Sequence, residues 1–240
     1  MRDPLTRAAL VRELKAAGSP ERATGAARYF KTGAGEYGEG DVFLGVTTPA
    51  LRKLARQYAA LSLDDLQELL KAKEHECRAV ALTILVAQHR AADAALQSKV
   101  LKLYLRNTQY INNWDLVDLS CGSIVGCHVR ADAGKLLTKL ARSKSLWERR
   151  IAMISTRALV REGDFDDALR VAELLLDDRH DLIHKAIGWV LREIGDKDRA
   201  TLLKFLKTHY ERVPRTTLRY AIEHFSPELR KQMLAGTFEV

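Results

Sequence analysis

The chain has 240 residues, 47% of them hydrophobic, with 39 Lys and Arg against 31 Asp and Glu for a formal net charge of +8. Such a chain can bury a sizeable core, and no linker-like stretch divides it, so residues 1–240 are expected to form one domain. No long apolar run offers a membrane span, and the basic balance points to an anionic partner, nucleic acid before membrane.

From the N-terminus, "MRDPLTRAALVREL" has the apolar spacing of an amphipathic helix but no apolar signal core, so no export signal is expected. Residues 31–41, "KTGAGEYGEGD", break the pattern: their glycines predict a flexible loop, and they offer no phosphate-loop lysine or serine pattern. Beyond it, "TPALRKLARQYAAL", "AALQSKVLKLYL" and "DDALRVAELLLDD" repeat apolar residues every three or four positions, so the chain reads as all-α. "GSP", "SLDD", "REGDFDD" and "GDKD" punctuate the helices, offering Ser or Asp as N-terminal caps. Cys77, Cys121 and Cys127 are odd in number, lack CxxC spacing and sit in apolar segments. They are expected to be reduced, buried thiols of a cytoplasmic protein.

A repeat underlies the helices. "RRIAMIS" begins at Arg149 and "KAIGWVL" at Lys185, 36 residues apart, and the same step back from Arg149 reaches Asn113 at the head of "NWDLVDLS". "CRAVALTIL" and "LRYAIEHF" extend the series on either side. Helix pairs at this period predict an α-solenoid of HEAT-like repeats, whose equivalent helices line one concave, basic groove.

That register places Trp114, Arg150, Trp189 and Arg192 on corresponding helices of three consecutive repeats. Trp114 and Asp118, four apart, share a helix face, as do Trp189 and Arg192, three apart. Each residue also has a structural explanation. Asn113 suits an N-cap, and Asp115 in the first turn complements the helix dipole. Trp114 and Trp189 taken singly suit core packing, as does Trp147. Arg150 and Arg192 could be solvated or paired with Glu148 and Glu193. Asp118 is harder to dismiss: it lies beyond capping reach among Leu116, Val117 and Leu119, where an unpaired carboxylate is costly to bury, so it calls for a cation or a groove.

"INNWDLVD", "LWERRIAM" and "KAIGWVLREIG", with "ARYFK" and "FLGVTTP" upstream, resemble the AlkD-type DNA alkylation-repair glycosylases, which are built of HEAT-like repeats. The resemblance spans most of the chain, with residues 33–40 as an insertion relative to compact members. It implies Asp118 as the catalytic carboxylate, Trp114 and Trp189 as the two groove tryptophans, and Arg150 and Arg192 as DNA-gripping cations. Backbone contacts from the N-terminal repeats map to Tyr29, Thr47 and Thr48. The implied protein is a monomeric, nucleoid-associated base-excision enzyme. It would hydrolyse the N-glycosidic bond of N3- or N7-alkylated purines in duplex DNA without a closed base pocket.

The residue types suit that chemistry in their own right. A purine alkylated at N3 or N7 is cationic and leaves as a neutral base without a general acid. A carboxylate stabilises the oxocarbenium-like sugar and orients water, while indole faces add cation–π attraction of about 0.5–2 kcal/mol each. No cofactor or metal is expected: no HExxH, no zinc spacing around "HEC", no Gly-Lys-Ser/Thr phosphate loop and no GxSxG elbow occurs. The competing expectation is a non-catalytic α-solenoid scaffold for nucleic acid or an acidic protein, which explains charge and repeats but not Asp118.

Overall fold

The three- and four-residue apolar spacing becomes α-helix along the chain, and no strand occurs among the described residues. The computed structural model describes residues 5–132 and 134–238, so the first four residues of the N-terminal amphipathic stretch lie outside it. Two compact units divide the chain, residues 1–124 and 125–240.

The first unit holds α1 (Arg7–Ala17), α2 (Pro20–Tyr29), α3 (Thr48–Gln57), α4 (Leu63–Leu70), α5 (His75–Ala91), α6 (Ala94–Arg106) and α7 (Trp114–Ile124). Its centre is α5, which packs against α3, α4, α6 and α7. Val80, Ala81, Leu82, Ile84 and Leu85 of α5 are all fully buried, as a helix enclosed by neighbours requires. The second unit holds α8 (Lys135–Ala141), α9 (Leu146–Ser155), α10 (Arg157–Arg161), α11 (Asp166–Leu175), α12 (Asp181–Lys197), α13 (Arg199–Thr208), α14 (Arg215–Ala221) and α15 (Pro227–Ala235). Here α12 takes the central place, against α9, α13 and α14. It lies close against α14: a Cβ at Gly188 would lie 2.5 Å from Tyr220 Cβ and 2.6 Å from the Thr217 carbonyl oxygen.

Most of the punctuation works as anticipated. Ser19, Ser62 and Asp198 accept backbone N–H groups of Arg22, Asp65 and Thr201, capping α2, α4 and α13. "REGDFDD" does not: Phe165 holds the cap position of α11 without a side-chain bond, and Asp166 and Asp167 fall inside the first turn. Asp167 pairs with Arg170 instead. Two further expectations need correction. Cys77 and Cys121 are buried but Cys127 is exposed, because it sits in the short 3-10 segment Gly126–Asp132 rather than on a core face. Trp147 is half-buried at the start of α9 and is not a core residue.

The repeat shows in bonds between helices one period apart. In the second unit Arg150 Nη1 donates to the Leu182 carbonyl (32 residues on), Thr217 Oγ1 to that of His184 (33 residues back), and Arg157 to the Glu193 carboxylate (36 residues on).

Candidate functional site

In the first unit the candidate residues gather at the start of α7. Asn113 is fully buried, and its backbone carbonyl accepts the first helical N–H, from Val117, at 3.1 Å, so it holds the N-cap position. Its side chain does more than cap: Oδ1 accepts the Trp114 N–H at 2.8 Å, and Nδ2 donates to Asp41 at 3.1 Å. Trp114 is half-buried and lies stacked on Phe30, centroids 5.4 Å apart, with Tyr29 edge-on at 6.0 Å. Tyr29, at the end of α2, is 65% exposed. One turn beyond Trp114, Asp118 is half-buried. Behind it, buried Tyr104 is held protonated well above the ordinary phenol range by burial first, with Cys121 and the Asp118 charge adding to that rise.

A second set of charges fixes this helix start. Asp41, the last residue of the glycine-rich stretch, has a side chain only 3% exposed. It accepts from His75 Nδ1 at 3.1 Å, from Arg78 Nη2 at 2.5 Å and from Asn113. His75 Nε2 is bonded to Asp115 at 2.8 Å. The adjacent Glu76 accepts the backbone N–H groups of Leu44, Gly45 and Val46 at 2.9, 2.8 and 3.2 Å, clamping the chain that leads into α3. Gly45 is required there: it sits at φ 76°, and a Cβ would come within 2.3 Å of the Ser19 carbonyl oxygen.

Burial alone would pull the His75 pKa down, but its hydrogen bonds to Asp115 and Asp41 override that and raise it to about 9. Burial likewise pushes Asp41 up, and His75, Arg78 and Asn113 together bring it below the ordinary carboxylate value. An imidazolium with both nitrogens donated to carboxylates has no lone pair left for a metal ion. The linkage has a sign: a raised histidine pKa contributes stability in full below about 6.5, lost as pH rises through about 9. A shift of that size corresponds to about 3 kcal/mol. Thermal unfolding of wild type and His75→Gln should therefore differ most below pH 6.5, with the gap closing above pH 9.

In the second unit, Trp189 on α12 is half-buried with one ring face covered: the Arg157 guanidinium lies 3.9 Å from its centroid. Arg157 is held there by a forked pair with Glu193, at 2.6–3.0 Å. Trp189 and Glu193, one turn apart, grip the same cation from the two sides. Arg192 pairs with Glu223 rather than with Glu193, since adjacent residues on a helix point about 100° apart. Arg150 is 4% exposed and bonds the Leu182 carbonyl at 2.6 Å, tying α9 to α12.

These placements separate the two arginines. Arg150→Ala should lower stability by about 1–3 kcal/mol, because it removes a charged hydrogen bond from a buried site. Arg192→Ala should leave stability nearly unchanged. It should weaken duplex binding at all sequences, with the log–log salt slope reduced by about 0.9 for one lost phosphate contact. Glu223→Gln should tighten binding at low salt by releasing Arg192. An unchanged salt slope in Arg192→Ala would exclude it as a phosphate ligand.

Thr47 holds the N-cap position of α3 without a side-chain cap bond, and Thr48 opens the helix; both are exposed. Thr48 and the exposed Arg52 border a cavity of about 330 Å³ whose deeper wall includes Phe30, Phe43, His75 and Asp115. Sequence reasoning missed Asp41, His75, Arg157 and Arg52. For Arg157 a signal existed, its 36-residue separation from Glu193, and Arg52 lies one turn after Thr48. For Asp41 no periodic signal exists.

The family model described as DNA alkylation repair enzyme matches residues 10–225. No curated protein sequence matches the chain. A solved structure described as a predicted DNA alkylation repair enzyme from Enterococcus faecalis is similar, with a TM-score of 0.69 and 18% identity over 88% of this chain and 97% of that one. That likeness shows the fold, the α-solenoid expected from the repeats.

Proposed function

Because the chain belongs to the DNA alkylation repair enzyme family, we propose that it is a DNA glycosylase that hydrolyses the N-glycosidic bond of cationic N3- or N7-alkylated purines in duplex DNA. The observation that carries this is Asp118: a half-buried carboxylate one turn beyond an indole whose other neighbours are Tyr29 and Phe30. A carboxylate in a partly dehydrated setting stabilises a developing sugar cation better than one in water. Its roles are to oppose the oxocarbenium charge and to orient the attacking water. Trp114 contributes an indole edge and partial face to the cationic base or sugar, and Trp189, in the second unit, offers DNA the ring face opposite Arg157. Tyr29, Thr47, Thr48 and Arg192 bind backbone phosphates and sugars, and Arg150 chiefly supports the helix pair behind Arg192.

Asp115 is not a second catalytic acid on this reading, since its Oδ2 is committed to His75. The test is release of free methylpurine from methylated duplex DNA by the purified protein. Tight, salt-sensitive binding with no release would instead identify a non-catalytic DNA-binding scaffold.

A further inference from the structure

"HEC", residues 75–77, has no place in the reaction as described, yet His75 and Glu76 are almost completely buried, at 3% and 5% exposure. A buried charged pair of neighbours is retained only when each finds partners. Glu76 spends its carboxylate on three backbone N–H groups, a structural task. His75 instead reaches α7, bonding Asp115 at 2.8 Å. Asp115 and Asp118 are three residues apart on one helix, where side chains are neighbours with Cβ atoms about 5–6 Å apart. Two carboxylates at that spacing oppose each other's ionisation unless one is compensated.

We propose that His75 is the positioning residue for the Asp118 carboxylate: held between Asp41 and Asp115, its imidazolium cancels the Asp115 charge and fixes the first turn of α7. The assignment rests on Asp118 being the catalytic carboxylate. His75 acts through Asp115 and touches no DNA, being enclosed by Phe30, Phe43 and the two carboxylates.

The charged groups around it are Asp41 from the glycine-rich stretch, Asp115 from α7, and Arg78 and Glu76 from its own helix; Arg22 of α2 and Arg52 of α3 border the same cavity. On α7, Asp115 precedes Asp118 by three residues; from α6, Tyr104 feels the Asp118 charge, and Arg90 of α5 meets α7 at Ser123, near the far end. His75 supplies a positive charge bonded to Asp115. Protonation of His75 across the neutral range is what lets it serve as that cation.

Carboxyl carbon NMR titrations of Asp118, assigned by Asp118→Asn, test this in wild type, His75→Gln, Asp115→Asn and the double variant, alongside the pH profile of single-turnover 7-methylguanine release. In His75→Gln the uncompensated Asp115 should raise the Asp118 midpoint, and the acid limb of the rate with it, by about one pH unit. In the double variant, with cation and anion both gone, the midpoint should return to the wild-type value. A purely structural histidine would lower stability in both variants and shift neither midpoint. An unmoved midpoint in His75→Gln, or a shift that persists in the double variant, overturns the proposal. If His75→Gln does not fold, the wild-type Asp118 resonance should still show a second inflection as His75 loses its proton, and its absence is equally decisive. Should these titrations behave as expected while wild type releases no purine, the glycosylase reading fails and the His75–Asp115–Asp118 coupling stands.

Discussion

Asp118→Asn is expected to lose methylpurine release by about 100- to 1,000-fold while duplex affinity and thermal stability stay close to wild type. The amide keeps the volume and most hydrogen-bonding capacity of the side chain. On the proposed mechanism it removes the negative charge that faces the sugar cation in the transition state, and that difference acts on kcat rather than on binding. The half-buried setting of Asp118 makes the loss larger than it would be at an open surface, because fewer waters are present to substitute for the charge. Asp115→Asn is the contrasting variant. It breaks the bond to His75, leaves a buried imidazolium with Asp41 as its remaining carboxylate partner, and is expected to cost stability before it costs chemistry. Single-turnover assays with both variants, matched for folding by circular dichroism, separate the two. Release near the wild-type rate by a folded Asp118→Asn protein would remove Asp118 from the mechanism.

Lesion charge is expected to govern selectivity to a similar extent. Oligonucleotides carrying 3-methyladenine or 7-methylguanine should be cleaved at rates that follow the intrinsic lability of each glycosidic bond. Uracil or ethenoadenine should be released about 100- to 10,000-fold more slowly, the range that general acid catalysis supplies elsewhere. A neutral base departs as an anion unless it is protonated, and three titratable groups on or beside α7 are committed to other bonds. His75 has both nitrogens donated to carboxylates and is 3% exposed, Asp115 is bonded to it, and Tyr104 is fully buried with its hydroxyl bonded to Ser120. Time courses on single-lesion duplexes decide the matter. Ethenoadenine released as fast as 7-methylguanine would require an acid elsewhere and would refute the role given to lesion charge.

Helical periodicity made the fold class legible, because an amphipathic helix states its own buried face. The 36-residue step in the sequence aligns α7, α9 and α12. Asp118 was legible for a physical reason: a carboxylate among Leu116, Val117 and Leu119 contradicts the local pattern. What the pattern could not convey was partnership across helices. Asp115 looked complete as a dipole-compensating first-turn acid, and only the structure joins it to His75, 40 residues earlier. Arg192 and Glu193 looked like a pair because they adjoin, whereas their side chains diverge to Glu223 and Arg157. The glycine-rich stretch was the least legible. Its glycines announce a turn correctly, but Asp41 at its end obeys no period and is among the most buried acids of the first unit.

That last residue bears on the order in which the protein acquires its structure. Cross-helix bonds in a repeat protein mostly join neighbours, such as Arg150 with Leu182, 32 residues apart, so each can form soon after its second helix exists. The bond from Asn113 to Asp41 spans 72 residues. Closing a loop of twice the length adds only about 0.6 kcal/mol of entropy, so the thermodynamic penalty is minor. The kinetic one is larger, since long-range contacts form late. On the ribosome, Asp41 emerges early and waits, with a buried position to fill and part of its partner set not yet made, until the stretch that carries Trp114 has been synthesised. The first turn of α7 is thus set by a residue translated long before it, and a pause in elongation between the two would prolong the interval in which Asp41 lacks part of its partner set.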